Sequence, residues 1–210
     1  LVNFFILFKN KKNDSRVLMY HGISESIHND ILGIYNLDKD RFQKQINCLL
    51  KKNIKFVSID DLINNNKKGI AISFDDGYVN CFNLAYPFLK KNSIPFSIFI
   101  SPNFIESGEK NFLDQSMVIN LSKDPLVTIG SHSYNHFNLT QLTEEAALQE
   151  LCKSKQWLEK LTNTKIDYFS YPHGKYNFKI LKIVEKAGYK AAFTSNFGSF
   201  ENSKSNFEIN

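Results

Sequence analysis

The sequence predicts an α/β fold in which βα units surround a parallel sheet. Short runs rich in β-branched and aromatic residues alternate with helical patterns from about residue 17 to the end of the chain, which is typical of such units. A length of 210 residues with 42% hydrophobic and 14% aromatic residues suits one domain with a sizeable core. These values exclude a disordered chain and a small disulfide-stapled protein.

Each predicted strand is followed by polar residues. The seven strands cover residues 17–20, 55–58, 70–74, 96–100, 126–129, 168–171 and 191–194. Asp38 is a suitable cap for the first helix, whose apolar residues recur at helical spacing. Thr143, followed by two glutamates, opens the longest predicted helix, over residues 142–161. Pro87 predicts that the helix after the third strand starts late or is kinked.

The positive charge of the chain does not predict a nucleic-acid partner. The 26 basic residues exceed the 21 acidic ones by 26 − 21 = 5, but 24 of the 26 are lysines, scattered as pairs. A nucleic-acid-binding surface more often clusters arginine with lysine on one face. Three widely separated cysteines without Cys-x-x-Cys spacing support neither a disulfide framework nor a thiolate zinc site.

The amino-terminal residues 1–14 are predicted to be a tail or a docking segment. Their apolar run of eight residues is far shorter than the ~20 residues that a membrane-spanning helix needs, and no later run is long enough. Since no complete export signal is visible, the sequence favours a cytoplasmic or peripheral membrane protein, or an extracytoplasmic one if a signal precedes this chain. No feature of the sequence predicts an oligomeric state.

Reactive side chains concentrate directly after the predicted strands. In chain order they are His21, Asp75, Asp76, His132, His136 and His173. The carboxyl ends of the strands in a parallel barrel converge on one face, where the active sites of such folds are built. Loops more than a hundred residues apart in sequence are therefore expected to share one pocket.

Two imidazoles and one carboxylate predict a catalytic metal site. His132 and His136 are four residues apart, and Asp76 completes a ligand face that leaves coordination positions open for water. Asp75 projects in another direction and is free to take a proton from that water. Each pattern alone is weak, because His-x-x-x-His is more often a surface or hydrogen-bonded pair and Asp-Asp-Gly is a good turn. Their joint occurrence after strands favours the metal site.

Three segments resemble the first three motifs of the polysaccharide deacetylases, the NodB-homology domains of carbohydrate esterase family four. These segments are Phe74-Asp75-Asp76-Gly77, Ser131-His132-Ser133-Tyr134-Asn135-His136 and Tyr171-Pro172-His173-Gly174. Tyr20-His21-Gly22-Ile23 is similar to the opening of one branch of that family. The resemblance covers about residues 15–198.

This resemblance implies a distorted (β/α) barrel with about seven parallel strands, and a NodB-like catalytic domain over residues 15–210. It implies a hydrolase that removes N-acetyl groups from amino sugars of a surface polysaccharide, its precursor or a lipid-linked sugar. Carried over by motif, Asp75 is the general base. The implied ligands of a divalent metal, zinc or else cobalt, nickel or manganese, are Asp76, His132 and His136.

The third motif supplies the implied oxyanion site. The resemblance assigns stabilisation of the oxyanion to the metal and to the main-chain N–H of His173, within the segment Tyr171-Pro172-His173. The family usually has tyrosine after this proline. The His173 ring is therefore a candidate substrate or acid contact, with an ordinary surface histidine as the alternative.

The chain departs from the family pattern at two further places. Ser170 stands where the family has an arginine that steadies the base, so Asp75 is expected to be oriented by another group, such as Lys175. The late motifs have no counterpart after residue 194, and residues 207–210 look like the start of another strand, so we expect a closing element to be missing. His21 then becomes the predicted donor of a proton to the leaving amine, and a packed strand-end histidine is the alternative.

Two other functions stay open at this point. One is a carbohydrate-binding module that has lost catalysis on the same scaffold, which would bind glycans without releasing acetate. The other is a metal phosphoesterase, since carboxylates and imidazoles also serve that chemistry.

Overall fold

Six parallel strands form the main sheet in a computed structural model of the protein, which describes residues 14–24 and 36–210. The sheet curls into a half-barrel with the strand order β1-β4-β5-β6-β7-β8. These strands are β1 Arg16–Tyr20, β4 Ile70–Phe74, β5 Phe96–Ile100, β6 Val127–Ser131, β7 Tyr168–Ser170 and β8 Ala191–Phe193. A second parallel sheet, which the sequence did not predict, pairs β2 Gly22–Ser24 with β3 Asn36–Asp38.

Five of the seven helices in the described residues begin at a side-chain cap that the sequence provides. They are α1 Lys39–Lys51, α2 Ile59–Asn64, α3 Tyr86–Lys91, α4 Pro102–Glu106, α5 Gln115–Ser122, α6 Glu144–Thr162 and α7 Phe178–Lys186. The side chains of Asp38 and Thr143 accept main-chain N–H groups at the starts of α1 and α6, as predicted. The helix at Pro87 does start late, because Cys81–Ala85 forms a π-helical turn before α3.

Six of the seven predicted strands are confirmed, and the exception has a physical explanation. Residues 55–58 contribute a single parallel bridge, from Phe56 to Ile70. From Ser73 onward, β5 occupies the same edge of β4, so the earlier segment has room for little more than that bridge. Near the end of the chain, Ile209 forms a parallel bridge to Phe193 beside β8.

The core lies on both faces of the sheet. Every residue of β4 and β5 is buried, which is expected of parallel strands covered by helices on each side.

All strands of the main sheet run in one direction, so the loops that follow them lie along one edge, which we call the carboxyl edge. The loops that enter the strands lie along the opposite, amino edge.

Some sequence predictions fall on residues that the structure does not describe. The proposed tail over residues 1–14 lies outside the described residues apart from Asp14. Among the helices of the described segments, none is long and apolar enough to cross a bilayer.

Candidate metal centre and active site

Each predicted site residue lies in a loop at the carboxyl edge. His21 follows β1, the two aspartates follow β4, and the histidine pair follows β6. The third-motif segment follows β7 and forms a 3₁₀ turn over Pro172–Gly174. The parallel topology thus brings together residues that are up to about 150 positions apart in the sequence.

Asp76, His132 and His136 surround one point. Asp76 Oδ1 lies 3.4 Å from His132 Nε2 and 3.2 Å from His136 Nε2. One ligand atom from each residue lies within 4.8 Å of the others, and Asp76 and His132 are buried. Asp76 Oδ1 is also a buried oxygen without a hydrogen-bond partner. Two nitrogens and an otherwise unpartnered carboxylate oxygen fit a divalent cation such as zinc.

Neighbouring hydrogen bonds fix the orientation of His132. Its Nδ1 lies 2.8 Å from the carbonyl oxygen of Ser170, which can only accept, so Nδ1 carries the proton. Nε2 is therefore the ring nitrogen that can bind a metal, and it faces Asp76. The carbonyl of His132 accepts a hydrogen bond from Ser101 Oγ at 2.7 Å. The first bond orients the ring so that Nε2 faces the cluster, and the second holds the backbone of His132.

Asp75 lies beside this cluster in a different environment. Its Oδ2 accepts a hydrogen bond from Ser170 Oγ at 2.9 Å and is 4.0 Å from His132 Nε2, while its Oδ1 is buried without a partner. Burial raises the pKa of Asp75, although the charges of His132 and His21 act in the opposite direction. Ser170 rather than Lys175 supplies the described hydrogen bond to this carboxylate, so the suggested role of Lys175 is not supported.

The surroundings of the two aspartates shift their pKa values in opposite directions. Burial alone would raise the pKa of Asp76, but the imidazoles of His132 and His136 outweigh it and hold the pKa well below its usual range. Burial would lower the pKa of His132, and the charges of the aspartates outweigh that effect and raise it. Asp76 is therefore a carboxylate suited to a cation, whereas Asp75 has a greater affinity for a proton.

His21 lies near enough to Asp75 for its charge to act on that carboxylate. The carbonyl of His21 accepts a hydrogen bond from the thiol of Cys81 at 3.0 Å, and the N–H of Ile23 donates to Asn80 Oδ1 at 3.0 Å. The π-helical turn after the aspartates therefore anchors the segment that carries His21. His21 follows β1 at the carboxyl edge, and no sequence signal indicated that Cys81 or Asn80 would hold its loop.

The three residues of the third motif have different surroundings. Tyr171 is buried, and its hydroxyl donates to the carbonyl of Phe207 at 3.0 Å. Pro172 is buried at the start of the 3₁₀ turn. His173 is exposed, has a φ of 59°, and its ring centroid lies 4.5 Å from that of His136. Partial burial and the charge of His136 lower the pKa of His173.

A parallel half-barrel with an Asp-His-His cluster at its carboxyl edge has its reactive groups where enzymes built on βα units place their active sites. The sequence model of the family described as polysaccharide deacetylase matches residues 63–192, which is more than half of the chain. This chain belongs to the polysaccharide deacetylase family.

Individual relatives agree with that assignment. The chain is similar to the putative polysaccharide deacetylase YxkH of Bacillus subtilis, with 28% identity over 190 residues that cover 87% of this chain and 65% of the relative. It is also similar to the poly-beta-1,6-N-acetyl-D-glucosamine N-deacetylase of Staphylococcus aureus, with 27% identity over 89% of this chain and 73% of the relative. The chain thus spans just under two thirds of the first relative and about three quarters of the second.

A solved structure confirms the predicted architecture. The deacetylase PplD of Streptococcus pyogenes, in complex with acetate, superposes with a TM-score of 0.80 at 25% identity. The match covers 89% of this chain and 85% of that one. The distorted barrel expected from the motifs is therefore the fold of this chain.

Proposed function

We propose that this protein is a metal-dependent hydrolase that removes N-acetyl groups from amino sugars of a surface polysaccharide or its precursor. The observation that carries the proposal is the convergence of Asp76, His132 and His136 on one point, with Asp75 beside them. The name of the Staphylococcus aureus relative supports an N-acetylated glucosamine polymer as the substrate class. Residues 15–210 are proposed as one NodB-like catalytic domain.

Asp76, His132 and His136 would hold the divalent ion, for which we propose zinc, with cobalt, nickel or manganese as alternatives. When bound, such an ion polarises the amide carbonyl and lowers the pKa of a water molecule. Asp75 accepts a proton from the attacking water, and burial, which raises its pKa, suits it to that task.

The remaining roles fall to groups around this pair. The main-chain N–H of His173 donates to the oxyanion that forms when water adds to the carbonyl carbon, and Tyr171 and Pro172 set the position of that N–H. His21 gives a proton to the nitrogen as the C–N bond breaks, so that the sugar leaves as an amine and the acetyl group becomes acetic acid, which ionises to acetate. The His173 ring is a further proposed contact for the substrate.

We also propose the cellular compartment in which the protein encounters its substrate. An N-acetylated glycan or a lipid-linked sugar would be available to this protein in the cytoplasm or at the membrane periphery, or outside the cytoplasm if an export signal precedes residue 1. Fractionation of the source cells with an antibody against the protein tests this, and recovery in a compartment without such glycans would contradict it.

Metal analysis combined with acetate release tests the proposed chemistry. The purified protein is loaded with zinc or cobalt and incubated with acetylated glucosamine oligomers. His132→Ala is expected to lose the ion and the activity. Asp75→Asn is expected to keep the ion and lose about 100-fold or more of the turnover. Full acetate release by both variants would refute the assignment, and oligomer binding without acetate release by the loaded wild-type protein would favour the binding module.

A further inference from the structure

The loop that joins the two histidine ligands has an unfavourable backbone. Ser133 and His136 both have a φ of 59°, in the left-handed region. A non-glycine residue there costs of order 1 kcal/mol, so the surrounding structure must hold the loop in place. The first half of the loop is held from α4, where Ser101 Oγ donates to the His132 carbonyl and the Asn103 N–H donates to the Tyr134 carbonyl.

The second half of the loop is held from α6 by one carboxylate. Glu150 accepts the main-chain N–H of Asn135 at 2.8 Å and also accepts the side-chain amide of Asn135. Asn135 directly precedes His136. Glu150 is half-buried in the second turn of α6, on a helix that is well packed in the core through Ala147 and Leu151. Hydrogen bonds to an ionised acceptor are the stronger kind.

These two bonds fix both the backbone and the side chain of Asn135. The main-chain torsion angles at Asn135 set the direction in which the side chain of His136 projects. In this conformation His136 Nε2 lies 3.2 Å from Asp76 Oδ1. A carboxylate on a packed helix is better placed for this than a group in the loop itself, because it ties the position of His136 to a rigid element of the fold.

We propose that Glu150 is a positioning residue for the metal centre, which holds His136 in place through Asn135. The inference rests on the proposed function, since it assumes that Asp76, His132 and His136 bind a divalent ion. Groups that orient the ligands of a metal without touching it commonly change its affinity by about 10- to 100-fold when removed.

Glu106 provides a useful contrast. Its carboxylate accepts hydrogen bonds from the Tyr134 hydroxyl and from Trp157 Nε1, so it also links the loop to a helix. It contacts the far end of a side chain rather than the backbone next to a ligand. We therefore expect the loss of Glu106 to affect the ion much less than the loss of Glu150.

Binding of Co²⁺ to the metal-free protein, followed by its visible absorption, tests the proposal without reference to acetate release. Glu150→Ala is expected to weaken Co²⁺ binding by about 10- to 100-fold. Glu150→Gln is expected to lose less, because its amide oxygen still accepts the Asn135 N–H. Glu145→Gln removes an equal charge from the exposed first turn of the same helix and is expected to bind as the wild type does.

A reciprocal exchange separates positioning from general stability. Asn135→Asp sets two carboxylates against each other and should weaken Co²⁺ binding by at least tenfold. Adding Glu150→Gln to that variant restores an amide–carboxylate pair, since the glutamine amide donates to the new carboxylate while its oxygen accepts the main-chain N–H. The double variant should therefore recover most of the lost affinity, which two unrelated structural effects would not produce.

Thermal unfolding of each metal-free variant identifies any that fail to fold. If Glu150→Ala does not fold, the proposal is tested with Glu150→Gln and with the Asn135→Asp variant with and without Glu150→Gln. Unchanged Co²⁺ affinity in the folded Glu150 variants, with binding retained by the wild type, would overturn this inference alone. A folded wild-type protein that binds no Co²⁺ would overturn the proposed metal centre together with it.

Discussion

Two sets of residues adopt the same left-handed backbone conformation at opposite edges of the sheet. At the amino edge, where helices lead into strands, they are Asn53, Asn66, Ser93 and Asn163. At the carboxyl edge, where strands lead into loops, they are Asp76, Ser133, His136 and His173. The amino-edge set is mostly asparagine, which tolerates this conformation at low cost. The carboxyl-edge set includes two proposed ligands.

The difference shows what each edge requires. At the amino edge the backbone must turn, and a short polar side chain is sufficient for that purpose. At the carboxyl edge the backbone must turn and the side chain must also reach a shared point, so glycine would suit the backbone but would lose the reactive group. Buried carboxylate oxygens without a hydrogen-bond partner are also found on Asp75 and Asp76, whereas the corresponding oxygen at the amino edge, Asp167 Oδ1, has Lys165 Nζ 3.8 Å away. Such features are expected where a site is built at the expense of stability.

His136→Gly should have the largest effect. Glycine adopts a positive φ without strain, which offsets the lost attraction between the imidazole and Asp76, so we expect the metal-free protein to stay within about 1 kcal/mol of the wild type in stability. Divalent-ion affinity should fall by more than 100-fold, because one of three ligands is lost, and acetate release should fall with it. Calorimetric ion titration and thermal unfolding measure both quantities. Retained ion affinity would contradict the explanation that a strained histidine is kept at this position because it binds the ion.

The next largest effect is a difference in turnover between alanine variants of two buried serines in the sheet, Ser170 and Ser97. Ser170→Ala removes the donor to Asp75, and turnover should fall by about tenfold, equivalent to ~1.4 kcal/mol. Ion affinity should not change, since the main-chain carbonyl that orients His132 is kept. Ser97→Ala is the matched control, because Ser97 Oγ is buried within β5 without a partner. Equal turnover in the two variants would contradict the role of Ser170.

Asn163 offers the corresponding test at the amino edge. It has a φ of 53° after α6, and Asn163→Ala should reduce the free energy of unfolding by about 1 kcal/mol because alanine is strained there. Asn163→Gly should leave that free energy unchanged or slightly higher. Denaturant unfolding measures both variants. Acetate release per folded molecule should equal that of the wild type. A loss of turnover would contradict the conclusion that left-handed residues at the amino edge serve only the fold.

The smallest expected effect concerns pH and the carboxylate of Glu201. This group accepts the N–H of Ser15 and pairs with Lys68; despite partial burial, these contacts lower its pKa to about 2. Its stabilisation should be present above the ordinary pKa of 4.5 and should disappear as the pH falls toward 2. Glu201→Gln should therefore flatten the change in thermal stability over that range, by less than about 1 kcal/mol. A parallel decline in both proteins would contradict this.

Much of the site could be predicted because it depends on position within an alternating pattern. Four of the five histidines and the Asp75–Asp76 pair follow predicted strands, and parallel strands end at one edge. Predictions failed where two segments compete for the same neighbour. Residues 55–58 have the composition of a strand, yet β5 occupies most of the edge that they would need.

The partners of the reactive groups were much harder to predict than the groups themselves. Lys175 was the expected support for Asp75, whereas Ser170 provides the hydrogen bond through a short side chain at the end of a neighbouring strand. Cys81, Asn80 and Glu150 have no motif around them that marks a supporting role. Each acts through a main-chain group of another segment, and a local sequence does not indicate which distant backbone it will contact.

The sequence by itself determined six strands of the main sheet and the caps at Asp38 and Thr143, because periodicity and capping act over a few residues. The motifs after the strands indicated the proposed metal ligands. The tertiary structure decided which groups support those ligands. The bond from Ser170 to Asp75 joins positions 95 residues apart, and that from Asn135 to Glu150 joins a loop to a helix. Such contacts depend on strand register and helix packing, which the whole chain sets at once.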